Sequence, residues 1–180
     1  MLGGAYGSLE ANQDMISYAQ SRVLGSGDIQ PLRAMLNLFG REFDDPEAYL
    51  SNQPADTYLA GLLARDTFVA IAAEFRGEVI GGLAGYVLHK FEQARSEFYI
   101  YDLAVDVGHR RKGVASSLIQ VLQDYARSHA IYVIFVQADY GDDAAISLYT
   151  KLGSREDVMH FDISPMAGTA QQSHAACRDA

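Results

Sequence analysis

The residues with the clearest chemical potential stand together at Arg110-Arg111-Lys112-Gly113, followed by Val114-Ala115-Ser116. Glu97–Val107 (EFYIYDLAVDV) is rich in aromatic and β-branched residues and reads as a strand entering this basic turn. Val114, Leu118, Leu122 and Tyr125 draw the apolar stripe of a helix leaving it and running through Ser128. Such a strand, turn and helix make an anion cradle. Successive backbone N–H groups point at one spot, the helix dipole adds positive potential, and Gly113 lets an oxygen approach the main chain. Three positive charges at one helix start, in a chain of net charge −9, suit a pyrophosphate or phosphate. The competing reading is a solvated basic turn before an ordinary helix. Neither G-x-G-x-x-G nor G-x-x-x-x-G-K-[ST] occurs, which excludes the dinucleotide and Walker fingerprints.

The elements that must position this turn are legible by period. Asp28 can cap a helix carrying Ile29, Leu32, Leu36, Phe39 and Phe43 on one stripe, with Pro46 ending it. A short helix is expected over Ala55–Arg65. Thr67–Phe75 reads as a strand buried on both sides, Arg76-Gly77 as a turn, and Glu78–Leu88 as the partner strand of a hairpin. Tyr132–Ala138 is the next strand, a helix from about Asp143 ends at Gly153, and Val158–Ile163 closes the order as a strand. Strands alternating with helices after a hairpin predict an α/β fold with a mixed sheet. The folded unit is expected over residues 18–163, with 1–17 as an N-terminal extension and 164–180 as a flexible tail.

At 180 residues the chain is one domain's worth, able to bury roughly 70% of its unfolded surface. Its acidity argues against nucleic acid or an anionic membrane as partner and favours cationic substrates. The single cysteine, Cys177, gives no disulfide framework, no apolar run is long enough for a membrane span, and no secretory signal is visible. A cytoplasmic protein is the expectation. No histidine pair has metal-ligand spacing and no Ser-His-Asp arrangement is legible, so metal-free chemistry is expected.

Asp102-Leu103-Ala104-Val105 ahead of Arg110-x-x-Gly113-x-Ala115, with Tyr149-x-Lys151-x-Gly153 downstream, resembles the Gcn5-related N-acetyltransferase (GNAT) superfamily. The GNAT fold is α/β, with a mixed, largely antiparallel sheet splayed between strands 4 and 5 and flanked by helices. Leu38–Phe43, Lys90–Ser96, Tyr99–Val105, Val136–Asp143 and Met159–Ile163 are similar, within that superfamily, to the aminoglycoside 3-N-acetyltransferases, the gentamicin-resistance enzymes. The resemblance implies acetyl-CoA as donor, the 3-amino group of a 2-deoxystreptamine drug as acceptor, direct attack in a ternary complex, and a homodimer as an expectation.

It also implies roles. Backbone groups of Leu103, Ala104 and Val105 would pair with the pantetheine arm, and the amides of Arg111, Lys112, Gly113, Val114, Ala115 and Ser116, with Arg110, would hold the pyrophosphate. Asp102 would be the general base, which an acceptor that is an ammonium at neutral pH requires, or else an anchor for the cation. Tyr149 would protonate the leaving thiolate, or is a core tyrosine. Asp142 stands where relatives have an asparagine on the pantetheine arm; an ionised carboxylate cannot donate there, which suggests substrate duty. A polycationic drug calls for carboxylates, and Asp139, Asp142 and Asp143, with Glu42, Asp44 and Asp45, are the candidates, Glu97 being a further one. Each could equally be a solvated loop residue. Two other readings remain: the same fold acting on another small amine such as a polyamine, and a non-catalytic acyl-CoA-binding module.

Overall fold

The computed structural model describes residues 18–165; the expected N-terminal extension 1–17, and the tail with Cys177 from residue 166 on, lie outside them. The chain divides after Asp139 into two units.

The first unit holds a five-stranded sheet in the order β1 (Gln20–Val23), β2 (Phe68–Phe75), β3 (Glu78–His89), β4 (Ser96–Val105), β5 (Ile131–Val136). The first three junctions are antiparallel and β4–β5 is parallel. Arg76 and Gly77, at φ 54° and 85°, close the β2–β3 hairpin with a two-residue turn whose left-handed backbone matches strand twist. Helices α1 (Ile29–Glu42), α2 (Pro46–Tyr49) and α3 (Asp56–Leu63) precede β2, and α4 (Val114–Ser128) connects β4 to β5.

Side chains of consecutive strand residues face opposite ways, so β3 reports which helix covers which face. A Cβ on Gly81 would meet Val114 and Leu118 of α4, while one on Gly82 would meet Met35 and Phe39 of α1. The sheet is therefore covered on both sides, and Val69–Ala73 of β2 are fully buried as a two-sided strand must be. Met35, Leu38 and Phe39 on α1, and Leu118 and Leu122 on α4, are buried almost completely. Each contributes about 1.5–3 kcal/mol of apolar burial.

Two irregularities in β4 matter for function. Ile100 pairs with Gly85 but Asp102 pairs with Ala84, so Tyr101 is an extra residue, a β-bulge. Gly85 opposite it admits no side chain: a Cβ there would lie 2.3 Å from the Tyr99 carbonyl oxygen and 2.5 Å from the Phe98 ring. Pairing of β4 with β5 runs from Ser96 to Ile100 and stops, leaving Asp102–Val105 paired on the β3 side only. That is the expected splay.

Some expectations need correction. Pro46 does not merely end α1; it opens α2 at its first position, capped by the Asp45 side chain accepting from the Ala48 N–H at 3.0 Å. Asp28 sits at the N-cap of α1, but its carboxylate accepts from Arg22 and from the Gly25 N–H rather than from the helix. Strand β1 was not expected, because QSRV has no apolar alternation.

The second unit holds α5 (Asp143–Thr150). Asp142 caps it, accepting from the Ala145 N–H at 2.9 Å. Residues 154–164 have no regular structure, so the expected strand Val158–Ile163 does not form, and Val158, Met159, Phe161 and Ile163 are exposed. Apolar alternation supplies strand propensity but not a neighbour to bond with. Among the described residues no helix is long and apolar enough to cross a membrane.

Candidate active site

The basic turn is built as its sequence requires. A single 3-10 turn at Val107–His109 follows β4, Arg111 and Gly113 take left-handed φ of 59° and 81°, and α4 starts at Val114. The first-turn N–H groups of a helix have no intrahelical partner, so Val114, Ala115 and Ser116 offer donors with the α4 dipole behind them. The basic side chains are less available than the sequence suggests. Arg110 Nε donates to the Val105 carbonyl at 3.1 Å and its Nη2 to Glu42 Oε2 at 2.6 Å. Lys112 Nζ donates to the Gly108 carbonyl at 2.9 Å and to Tyr18 Oη at 3.1 Å. Tyr18 stacks on Phe75 with ring centroids 4.7 Å apart, and its Oη lies 3.0 Å from His109 Nδ1.

Glu42, expected among the substrate carboxylates, is spent here. Its side chain is 9% exposed, and besides Arg110 it accepts from the Val107 N–H at 3.3 Å. It fastens the end of α1 to the turn after β4. Asp44 and Asp139 are exposed, Asp44 with φ 53°. Asp142 and Asp143 belong to the start of α5 in the second unit and are exposed. Glu97 is paired with Lys90 at 3.1 Å and receives the Tyr132 hydroxyl.

Asp102 lies in the first unit, on the wall of a cavity of about 310 Å³. The cavity is lined by apolar side chains of α1 and α3, Phe68 and Ala84 of the sheet, and three tyrosines, Tyr49, Tyr86 and Tyr101. The bulge at Tyr101 lets Asp102 pair with Ala84 at this wall. Tyr49 donates to Asp102 Oδ1 at 2.9 Å. Burial raises the Asp102 carboxyl above the usual carboxylate range, and the Tyr49 bond opposes that rise. Tyr49 is itself raised far above an ordinary phenol by burial and by the Asp102 charge, so it stays a donor. Tyr49 is held in turn by Phe39 and Phe43, at centroid distances of 5.9 and 5.7 Å, and by Gln53, whose Nε2 donates to its carbonyl at 3.0 Å.

Beside this cavity the free edge of β4 presents a strand-like ladder. The Asp106 N–H donates to the Ile80 carbonyl, which places Asp106 and Ala104 on bonded pairs with β3 and turns the polar groups of Leu103 and Val105 the other way. Arg110 already takes the Val105 carbonyl, so Leu103 and the Val105 N–H are what the edge offers. A family model of the acetyltransferase (GNAT) family matches residues 32–154, from within α1 to just past α5. The chain belongs to the GNAT acetyltransferase family.

Solved structures of similar fold are known. An aminoglycoside acetyltransferase from an uncultured soil metagenomic sample is 47% identical with a TM-score of 0.80, over 81% of this chain and 97% of that one. Another from such a sample, in complex with sisomicin, is 28% identical with a TM-score of 0.76, over 82% and 96% of the two chains. Among curated proteins, probable N-acetyltransferase family 8 member 5 of Mus musculus is 27% identical over 128 residues, 71% of this chain and 56% of its own length. The chain spans about half the length of the curated relatives it matches.

The donor implied by GNAT membership, acetyl-CoA, fits what this chain presents. An elongated amide-bearing arm would suit the half-paired edge at Leu103, and a pyrophosphate would suit the α4 amides behind Gly113, where even a Cβ would meet nothing within 4 Å. Tyr49 and Tyr18 were not singled out from sequence. Their partners Asp102, 53 residues away, and Lys112, 94 away, meet them only in the fold, and no spacing rule reaches so far.

Proposed function

We propose that this GNAT protein acetylates an amino group of an aminoglycoside, the 3-amino group of a 2-deoxystreptamine drug of the gentamicin type, and so confers resistance to it. The observation that carries the reading is Asp102: a partly buried carboxylate with raised proton affinity, fixed at one oxygen by Tyr49, on a ligand-sized cavity next to the free β4 edge. Support for the substrate class comes from the 47% identical aminoglycoside acetyltransferase. The 3-amino position rests on the sequence resemblance at Tyr99–Val105 and Val136–Asp143.

When bound, acetyl-CoA supplies a thioester already activated for acyl transfer. Leu103 and the α4 amides hold the donor, and Asp102 binds the acceptor ammonium and takes one proton from it, leaving a neutral amine able to attack. The N–C bond forms as the C–S bond breaks, and the nitrogen gives up its second proton, which replaces the one the departing thiolate takes up. The departing sulfur takes up a proton, and the sequence resemblance implies Tyr149 as its donor. Its hydroxyl, raised to about 12 by burial and then by the Asp142 charge, carries its proton at neutral pH. Asp102 then returns its proton to solvent, and no covalent enzyme intermediate is needed.

One observation favours a second acceptor class. The cavity wall is apolar and aromatic, with a single carboxylate, which also suits a small amine on an apolar skeleton. Thiol release from acetyl-CoA with gentamicin, kanamycin, spermidine and no acceptor separates the two. Fast release with gentamicin and little with spermidine supports the drug reading, and mass spectrometry of the product locates the acetyl group. No release with any drug overturns it.

A further inference from the structure

The composition of the Asp102 cavity carries an inference about how it recognises a ligand. Among its lining residues Asp102 is the only charged group, and no Lys, Arg or His is present. The titratable groups around it are Tyr49 and Asp45 of the α2 segment, Tyr58 of α3, Tyr86 of β3, and Tyr99 and Tyr101 of β4, all acidic or neutral. None of the ion pairs among the described residues includes Asp102. A partly desolvated carboxylate facing only phenols is an unbalanced negative site, and burial of that kind persists where a cation completes it.

The walls suit an organic cation rather than a hydrated metal. Tyr86 and Tyr101 meet edge to face, with centroids 5.9 Å apart and planes at 89°, so two perpendicular, exposed rings line the cavity. Tyrosine faces attract cations through the ring quadrupole. Leu36, Phe39, Leu59 and Leu62 also line the cavity and offer contacts for carbon, not for water.

We propose that Asp102 with Tyr49, Tyr86 and Tyr101 forms an ammonium cage that takes its acceptor as the cation and also admits quaternary ammonium ligands, which have no N–H to lose and cannot be acetylated. The inference rests on the reading that Asp102 faces the acceptor amine. Tyr49 takes Oδ1, so Oδ2 is the oxygen left for the ligand, and the tyrosine rings and aliphatic wall would hold the methyl or methylene groups on nitrogen.

The test compares choline with 3,3-dimethyl-1-butanol, its neutral carbon isostere, on the full chain. Both are assayed as inhibitors of thiol release with gentamicin at saturating acetyl-CoA, and both by direct ligand-observed NMR with no donor present. Choline should compete with the acceptor and bind at least tenfold more tightly than the alcohol. Tyr101→Ala should weaken choline at least fivefold while Tyr101→Phe retains it, and Asp102→Asn should abolish the preference for charge. Equal binding of alcohol and choline, or choline inhibition not competitive with the acceptor, overturns the cage. If no aminoglycoside is acetylated but choline still binds with an Asp102-dependent preference, the cage stands and the drug reading falls.

Discussion

Tyr49→Phe removes one hydroxyl and leaves the ring between Phe39 and Phe43, so its effect should be confined to Asp102. The lost bond is 2.9 Å long and reaches a carboxylate. Hydrogen bonds to charged groups contribute about 1.5–3 kcal/mol, part of which the protonated acid would also keep. A differential of about 1.4 kcal/mol in favour of the anion is one pKa unit. Burial already raises Asp102 and Tyr49 restrains it, so the variant's carboxyl should rise by about one further unit. Only the carboxylate can accept the acceptor's proton, so the acidic limb of kcat/KM should move up by about one pH unit. Below that limb the variant should be roughly tenfold slower, and above it the two proteins should nearly coincide. Thiol release followed from about pH 5 to 9 at constant ionic strength reads this directly. A uniform loss across the range would make Tyr49 merely structural, and an unmoved limb with full activity would refute its coupling to the base.

Asp102→Asn should cut turnover by at least about a hundredfold with donor binding intact. It should also raise Tm at neutral pH, by about 2–4 °C per kcal/mol relieved. The sign follows from the raised folded carboxyl: the native state binds the extra proton between the unfolded and folded values, so stability falls as pH rises through that window. A lower Tm by scanning calorimetry at neutral pH would contradict it. Glu42→Ala frees Arg110 and the Val107 N–H, so KM for acetyl-CoA should rise roughly 5- to 30-fold with little change in kcat. An acceptor KM that rises instead would return Glu42 to the substrate. Gly85→Ala forces a Cβ to 2.3 Å from the Tyr99 carbonyl, which should cost about 3 kcal/mol or more and lower Tm by about 6–12 °C. A wild-type melting curve would mean that the bulge tolerates a side chain.

The helices and strands that position the cradle were legible because their apolar periods are clean: Leu32 and Phe39, or Leu118 and Leu122, recur at helical spacing and are buried. The strand–turn–helix at Leu103–Ser116 was legible for the same reason. What the basic turn does with its charges was not. Arg110 reads as a phosphate ligand and Glu42 as a substrate carboxylate until the fold brings them to 2.6 Å, across 68 residues of chain. The acidic character of the chain was equally misleading about the cavity, whose wall is tyrosine and leucine around one carboxylate. Composition sums over a surface, whereas recognition depends on the few side chains that line one concavity.

The fastening of Glu42 to Arg110 bears on how such a protein can change its diet. The segment 29–63 supplies eight of the thirteen side chains around the cavity, while the donor cradle is made by β4, the turn and α4. Acceptor preference could therefore drift, or be transplanted between relatives, by exchanging that one stretch while the acyl-donor end stays as it is. Glu42 ties that stretch to the turn, as Tyr49 ties it to β4. A graft that omits Glu42 would arrive with a new wall and an unfastened cradle.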